Sequence, residues 1–156
     1  MKLIAIIRLK GKIGLKRPVK DTFKLLRLYK LYYCIILKNT PMNVGMIERV
    51  KDATTWGEID EKTLKELLLK RGRLPANKRL TQEYLKEKTE LDTDKFVKEI
   101  MEDTKTIKSV PGLKPFFRLK PPTGGFERKG IKQHFAQGGS IGYRKEKINE
   151  LLMKML

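Results

Sequence analysis

Apolar residues recur along this chain in two rhythms, interrupted by proline and glycine. The first rhythm is a short continuous run. Lys2 to Leu9 is mostly apolar and rich in isoleucine, Tyr32 to Leu37 is apolar throughout, and Ala53 to Ile59 mixes β-branched and aromatic residues. Each run predicts a strand, the second a buried one. The second rhythm has helical spacing. Pro18 opens a helix at a position where its missing N–H costs nothing, and Val19, Phe23 and Leu26 fall on one face. Asp21 belongs to the first turn of that helix, where the dipole favours an anion. Thr40-Pro41 breaks the chain, and Asn43 is the expected cap of a short helix running to Val50. Gly45 is a weak point inside it that admits close approach of another backbone. The order over residues 1–59 is βαβαβ.

Beyond Ile59 the helical rhythm takes over. Asp60 caps a helix with Leu64, Leu67 and Leu68 on its apolar face, and Gly72 ends it. Arg73 to Lys78 is a loop around Pro75. Thr81, and then Asp92 or Thr93, cap two further helices, whose apolar residues are Tyr84 and Leu85, then Phe96, Val97, Ile100 and Met101. The character changes again at Pro111-Gly112. Lys114 to Lys120 predicts a short strand, Pro121 to Gly125 a sharp turn, and Ile131 to Gln137 the return of a hairpin arm before Gly138-Gly139. A last helix from about Tyr143 carries Ile148, Leu151, Leu152 and Met155 on one side. The expected organisation is a βαβαβ core over 1–59, a helical extension over 60–110, and a strand, hairpin arm and helix over 111–156. The fold class is α+β, with no repeat of solenoid period.

Charge changes the picture more than composition does. The chain has 36 Lys+Arg against 18 Asp+Glu, a formal +18 in 156 residues. The excess is uneven: +9 over Met1–Ile59, +2 over Asp60–Val110 and +7 over Pro111–Leu156. Two basic regions flank a near-neutral middle, and a field of that strength calls for a polyanion, most commonly nucleic acid. Cys34 is the only cysteine, so no intramolecular disulfide forms, and one Cys with one His cannot supply the four ligands of a structural zinc site. The first apolar run is short, ends at Arg8 and lacks a small-residue cleavage site. The longest run, Leu31 to Leu37, falls far short of the roughly 20 residues that span a bilayer. The expectation is a cytoplasmic protein without a membrane partner.

The candidate chemistry is cationic. Lys16, Lys20, Lys24 and Arg27 recur at intervals of four, four and three, one stripe across the first helix and the loop before it. Lys10, Lys12 and Arg17 adjoin them, and Arg49 and Lys51 follow at the end of the second helix. Taken alone the stripe reads equally well as a solvated face; joined to its neighbours it reads as a phosphate-binding surface. The tail interleaves Arg118, Lys120, Arg128, Lys129, Lys132 and His134 with Phe116, Phe117, Phe126 and Phe135, cations beside rings able to stack on unpaired bases. Phe116 and Phe117 point to opposite faces of a strand, so one of them belongs to the core. His134 lacks a partner that would make it a catalytic base, Cys34 reads as a buried inert thiol, and Trp56 as a core residue. Gly11 and Gly14 do not form a dinucleotide or phosphate-loop motif, and Asp92-Thr93-Asp94 is explained by helix capping.

Three stretches carry a family resemblance. Ile7 to Pro18, with its Lys10-Gly11-Lys12-Ile13-Gly14 loop, resembles the opening of the universal large-subunit ribosomal protein family numbered thirty in the bacterial naming and seven in the eukaryotic. Thr22 to Leu28 looks like that family's first helix, and Asn39 to Val50 is similar to its threonine-proline and Gly-Met-Ile segment. The core resemblance covers Met1 to about Ile59. Leu119 to Gly125 and Gln137-Gly138-Gly139 look like the archaeal form, and the likeness is weakest from Arg73 to Ser109. The resemblance implies a two-layer, ferredoxin-like core with an antiparallel sheet of order 3-1-2 and helices on one face. It implies binding of large-subunit rRNA near 5S rRNA beside neighbouring ribosomal proteins, with no cofactor, no small-molecule substrate and no catalysis. The family often has Arg where Val44 stands, so no RNA contact is expected there. Two other readings stand beside it: a nucleic-acid-binding or RNA-chaperone module outside the ribosome, and, remotely, a small acylphosphatase-like hydrolase. The latter needs a phosphate cradle with an Arg and a partner Asn, and Lys10 to Arg17 lacks both the tight cradle and the Asn.

Overall fold

The computed structural model describes residues 3–89 and 91–156; Lys2, where the first predicted strand begins, lies outside them. The five core elements are β1 (Leu3–Arg8), α1 (Arg17–Leu25), β2 (Tyr33–Lys38), α2 (Pro41–Val50) and β3 (Thr54–Glu58). β1 is central and antiparallel to both neighbours, with Ile6 opposite Ile35 and Trp56. The order 3-1-2 is therefore present, and two tail strands extend it at either edge. β4 (Phe117–Arg118) pairs antiparallel with β2, and β5 (Gly142–Tyr143) pairs parallel with β3, giving β4-β2-β1-β3-β5.

All six residues of β1 are buried, because both faces of the sheet are covered. Strand alternation sends Ile4 and Ile6 to a core with Phe23, Leu26, Leu28, Ile47 and Val50, beneath α1 and α2. It sends Leu3, Ala5 and Ile7 to a second and larger core on the opposite face. The helices of that face are α3 (Glu61–Arg71), α4 (Gln82–Thr89), α5 (Thr93–Met101) and α6 (Ile148–Met155). Helices on one face hold for the βαβαβ core alone; the rest of the chain adds a third layer. This is why β1 reads as a continuous apolar run instead of alternating. Among the described residues no helix is long and apolar enough to cross a membrane.

Local details differ from expectation for identifiable reasons. Thr40, not Asn43, caps α2, its Oγ1 accepting from the Asn43 N–H at 3.3 Å. Pro41 has no N–H and fits the first helical position, so the cap falls one residue before it. Asn43 instead donates its side-chain amide to the Lys38 carbonyl at 2.8 Å. Gly45 has open space where a Cβ would stand, so no backbone approaches it. Close approach occurs instead at Gly57, where a Cβ would lie 2.0 Å from the Lys145 carbonyl oxygen. α1 begins at Arg17, which puts Asp21 in its second turn. Trp56 is half-buried and packs at the margin of the α1/α2 core.

The tail departs most. No hairpin arm forms; residues 130–137 make two short 3-10 turns, and only Gly142–Tyr143 returns to the sheet. Nor does this segment extend away from the body. Lys120 and Thr123 donate to the Met155 and Lys154 carbonyls at 3.0 and 2.9 Å, and Arg144 donates to Trp56 at 2.8 Å. An ion pair between the buried Arg144 and the half-buried Glu127 holds the arm down. Arg144 is 2% exposed and gives hydrogen bonds to both Glu127 carboxylate oxygens, to Thr55 Oγ1 at 2.8 Å and to the Ser140 carbonyl at 3.0 Å. Its guanidinium lies 4.7 Å from the centre of the Phe135 ring.

Candidate nucleic-acid interface

Antiparallel pairing decides where the cations meet. β1 ends at Arg8, opposite the start of β2 on one side and of β3 on the other. Arg118 of β4 faces Tyr33, and Gly142 of β5 faces Thr55. The loop after β1, the turn before β3, the end of β4 and the turn before β5 therefore share one end of the sheet. Lys10, Lys12, Lys51, Arg118 and His134 come from these segments, so the two basic regions of the sequence converge there.

Arg8 organises this end from inside. Its side chain is buried and donates to the carbonyls of Lys10 at 2.8 Å and Leu28 at 2.7 Å, with its guanidinium 4.1 Å from the Phe23 ring centre. Leu9 and Lys10 also donate their N–H groups to Ala53, at 2.9 and 3.2 Å. The base of the basic loop is thereby tied to α1, to the chain leaving it and to the turn before β3. In the sequence Arg8 stands as the end of the first apolar run. Its signal was its place on the inward alternation with Ile4 and Ile6.

Beside the loop lies a concavity of about 440 Å³ lined by Arg8, Lys12, Arg17, Lys20, Lys24 and Tyr29, among others. Of the fourteen lysines and arginines named as candidates, all are exposed except Lys10, which is half-buried, and His134 is exposed as well. Arg27 leaves the predicted stripe. α1 stops at Leu25, and Arg27 adopts φ 57° while Leu28 N–H bonds back to the Phe23 carbonyl at 2.9 Å and Arg27 N–H to Lys24 at 3.0 Å. This is a Schellman ending whose left-handed position glycine usually fills. Arg27 consequently faces a different groove, with Lys38 and Lys108. Arg27→Gly is expected to stabilise the fold by about 0.5–1 kcal/mol, read by denaturant melts, because glycine adopts this φ without strain. The same change removes a cation, so RNA affinity should not rise with stability.

The tail cations do not form one patch. Arg118 lies at the β4 edge, 6.0 Å from the Tyr33 ring centre, and His134 near the opposite edge, with Nε2 3.5 Å from Asp52 Oδ1. Lys120, Arg128, Lys129 and Lys132 are exposed along the arm between them. The tail phenylalanines, which the sequence allows either to stack on bases or to join the core, use their faces internally. Phe117 is fully buried, Phe116 stacks on Tyr33 at 5.2 Å, Phe126 on Tyr32 at 6.3 Å, and Phe135 lies under Arg144. The more open rings are Tyr29 and Tyr143, 42% and 46% exposed. Tyr143 donates its hydroxyl to Glu58, which, with burial and that carboxylate's charge, pushes its phenol up to about 12. Neither tyrosine lies among the cations interleaved with phenylalanine in the arm, so the sequence pattern does not mark it. Burial pushes the Cys34 thiol well up from its ordinary value, leaving it protonated and inert.

Nothing here resembles a phosphate cradle for chemistry. Gly11 and Gly14 have open space around them, and the buried Arg8 spends its donors on backbone carbonyls. Among the described residues no three His, Cys, Asp or Glu side chains are grouped to hold a metal. A compact α+β scaffold with lysines and arginines drawn from separate segments to one sheet end defines a basic protein of the nucleic-acid-binding class. The family model for ribosomal protein L30p/L7e matches residues 4–53, which is β1 to the turn before β3. The whole chain is 48% identical over 156 residues to large ribosomal subunit protein uL30 of Nanoarchaeum equitans, covering all of both proteins. It is 47% identical over 152 residues to the uL30 protein of Methanococcus maripaludis, covering 97% of this chain and 98% of the relative. With the uL30 protein of Methanopyrus kandleri it shares 40% over 149 residues, 95% of this chain and all of the relative. The chain belongs to the large ribosomal subunit protein uL30 family. The family model stops before β3, whereas the similarity to these relatives runs on through the segments that form the third layer and the arm in this chain.

Proposed function

We infer that this chain is a structural constituent of the large ribosomal subunit, binding large-subunit rRNA and neighbouring ribosomal proteins in the ribosome, and that it is not an enzyme. The observation that carries the reading is full-length similarity to uL30 proteins. The basic end of the sheet supports it physically. Exposed lysines and arginines neutralise phosphates, and the sheet and the Arg8 bonds fix the distances between them. In this reading the loop 10–17, α1, Arg49, Lys51 and the tail cations meet RNA. The near-neutral α3–α5 layer faces solvent or protein. Proximity to 5S rRNA is part of the proposal and rests on the resemblance of the first twelve-residue loop region and the Thr40-Pro41 helix.

The mechanism is geometric. The arm is already docked on the protein, so it does not rely on RNA for its fold, and fewer residues lose freedom on binding. Sucrose-gradient fractionation of ribosomes tests the assignment: the protein is expected at one copy in every large subunit. Peptide-mapped crosslinks to rRNA are expected at Lys12, Lys51 and Arg118 and not at Lys62 or Lys95. Recovery mainly in ribosome-free fractions, or crosslinks confined to α3–α5, would overturn the reading.

A further inference from the structure

Ile13 stands at the tip of the basic loop and is 100% exposed. Single apolar side chains on a surface are ordinary and carry no message by themselves. The setting of this one is different. Leu9 to Lys20 contains Lys10, Lys12, Lys16, Arg17 and Lys20 and no carboxylate. Gly11 and Gly14 stand on either side of Ile13, each with nothing within 4 Å of where a Cβ would be, so the tip projects clear of the body. Gly14 has φ +75°, a conformation that L side chains rarely adopt, and this sets the turn at the tip. The base does not sway freely, since Arg8 and Ala53 hold it through the hydrogen bonds described above. Ile13 itself is β-branched and stiff at χ1, so little rotamer freedom is lost when something packs on it.

An anchored stalk with cations along its sides and one rigid apolar group at its summit fits a particular surface. Phosphates meet the sides, and between them lies something flat and apolar. In folded RNA that is the face of an unpaired base in a loop or bulge. A pocket on a neighbouring protein offers apolar surface too, but an uninterrupted run of five cations favours the polyanion. We propose that Ile13 is an RNA-contacting residue that packs on the face of an unpaired base between phosphates held by Lys12 and by Lys16 or Arg17. It supplies the part of the loop's affinity that salt does not screen. The proposal rests on the rRNA-binding reading and deepens it.

Salt titrations separate the two. The probe is the tightest-binding member of a set of transcripts tiling the same organism's large-subunit rRNA, with 5S rRNA included, and the full-length protein is used throughout. Ile13→Ser is expected to weaken binding about tenfold at every salt concentration, the burial of one aliphatic side chain, with the slope of log affinity against log salt unchanged. Ile13→Phe, which keeps a surface able to pack on a base, is expected to bind at least as tightly as the wild type. Lys12→Gln is expected to lower the slope by about 0.7–0.9. Thermal melts should be unchanged in all three, since these side chains lie outside both cores. Wild-type affinity for Ile13→Ser together with a reduced slope for Lys12→Gln would overturn the base contact and leave the RNA reading intact. An unchanged slope for Lys12→Gln would count against phosphate binding by the loop itself. Normal RNA affinity for Ile13→Ser, with loss of that variant from large subunits in gradients, would reassign the tip to a protein neighbour and overturn the proposal.

Discussion

Full-length protein with Lys12, Arg17, Lys20 and Lys24 all changed to glutamine is expected to bind large-subunit rRNA about 10²–10³-fold more weakly at about 0.15 M salt. These four exposed side chains line one concavity beside the basic loop. Each phosphate they neutralise releases counterions, so the salt slope should fall by about three to four along with the affinity. Stability should stay within about 0.5 kcal/mol, as for other exposed substitutions. The Lys24–Asp21 pair, at 3.7 Å and open to solvent, contributes little to it. Four glutamines at Lys62, Lys88, Lys95 and Lys98 on the near-neutral layer change net charge equally and serve as the control. If the control weakens binding as much as the groove variant, attraction is a matter of total charge and the localised interface is wrong. Filter binding over a salt series decides the matter.

Glu127→Ala is expected to destabilise the fold by about 3 kcal/mol, because it leaves the buried Arg144 without its counter-charge. For a chain of this size that lowers the melting temperature by about 6–12 °C. Pairing it with Arg144→Met should recover much of the loss, since the lone buried charge is then gone. Calorimetry or denaturant melts of the two variants test this, and equal instability in both would place the cost in lost packing. The pair also predicts a pH dependence. Burial pushes the Glu127 carboxyl up, but hydrogen bonds from Arg144 and Ser140, together with the Arg144 charge, outweigh it and hold the group at about 2, below its ordinary 4.5. A carboxylate lowered in the folded state stabilises fully above its unfolded value and loses that contribution as pH falls through its folded one. The arm should therefore weaken between about pH 4.5 and 2, with hydrogen exchange rising first over Phe126–Tyr143. Glu127→Gln should flatten the stability curve in that window.

The two features behind these predictions, one local and one long-range, were unequally legible. The cations near α1 were visible because loop and helix are continuous in sequence, and spacing alone groups Lys16, Lys20 and Lys24. Arg27 falls outside that logic, since the helix ends in a left-handed turn that arginine rarely occupies, closed by backbone hydrogen bonds from Arg27 and Leu28 with Leu28 buried in the same core as Phe23. The Glu127–Arg144 pair was not legible at all. Nothing local marks an arginine for burial, and its partners Thr55 and Glu127 are 89 and 17 residues away. The arm's glycines and prolines predict a turn and a hairpin, whereas the Glu127–Arg144 ion pair and a two-residue parallel strand pin the segment to β3.

Apolar rhythm, with its caps and breakers, marked the six helices and the three core strands, because burial of alternating or helically spaced side chains is a short-range pattern; it did not show that the buried residues divide between two cores, and it began the last helix at about Tyr143, which belongs to β5, instead of at Ile148. Charge bookkeeping along the chain determined that a polyanion was the partner. Only the tertiary structure decided that members of both basic regions, Lys10, Lys12 and Lys51 with Arg118, meet at one end of the sheet. That outcome depends on β1 running antiparallel to both neighbours and on tail strands taking the two open edges, and pairing between residues as far apart as Thr55 and Gly142 leaves no periodic trace in the chain.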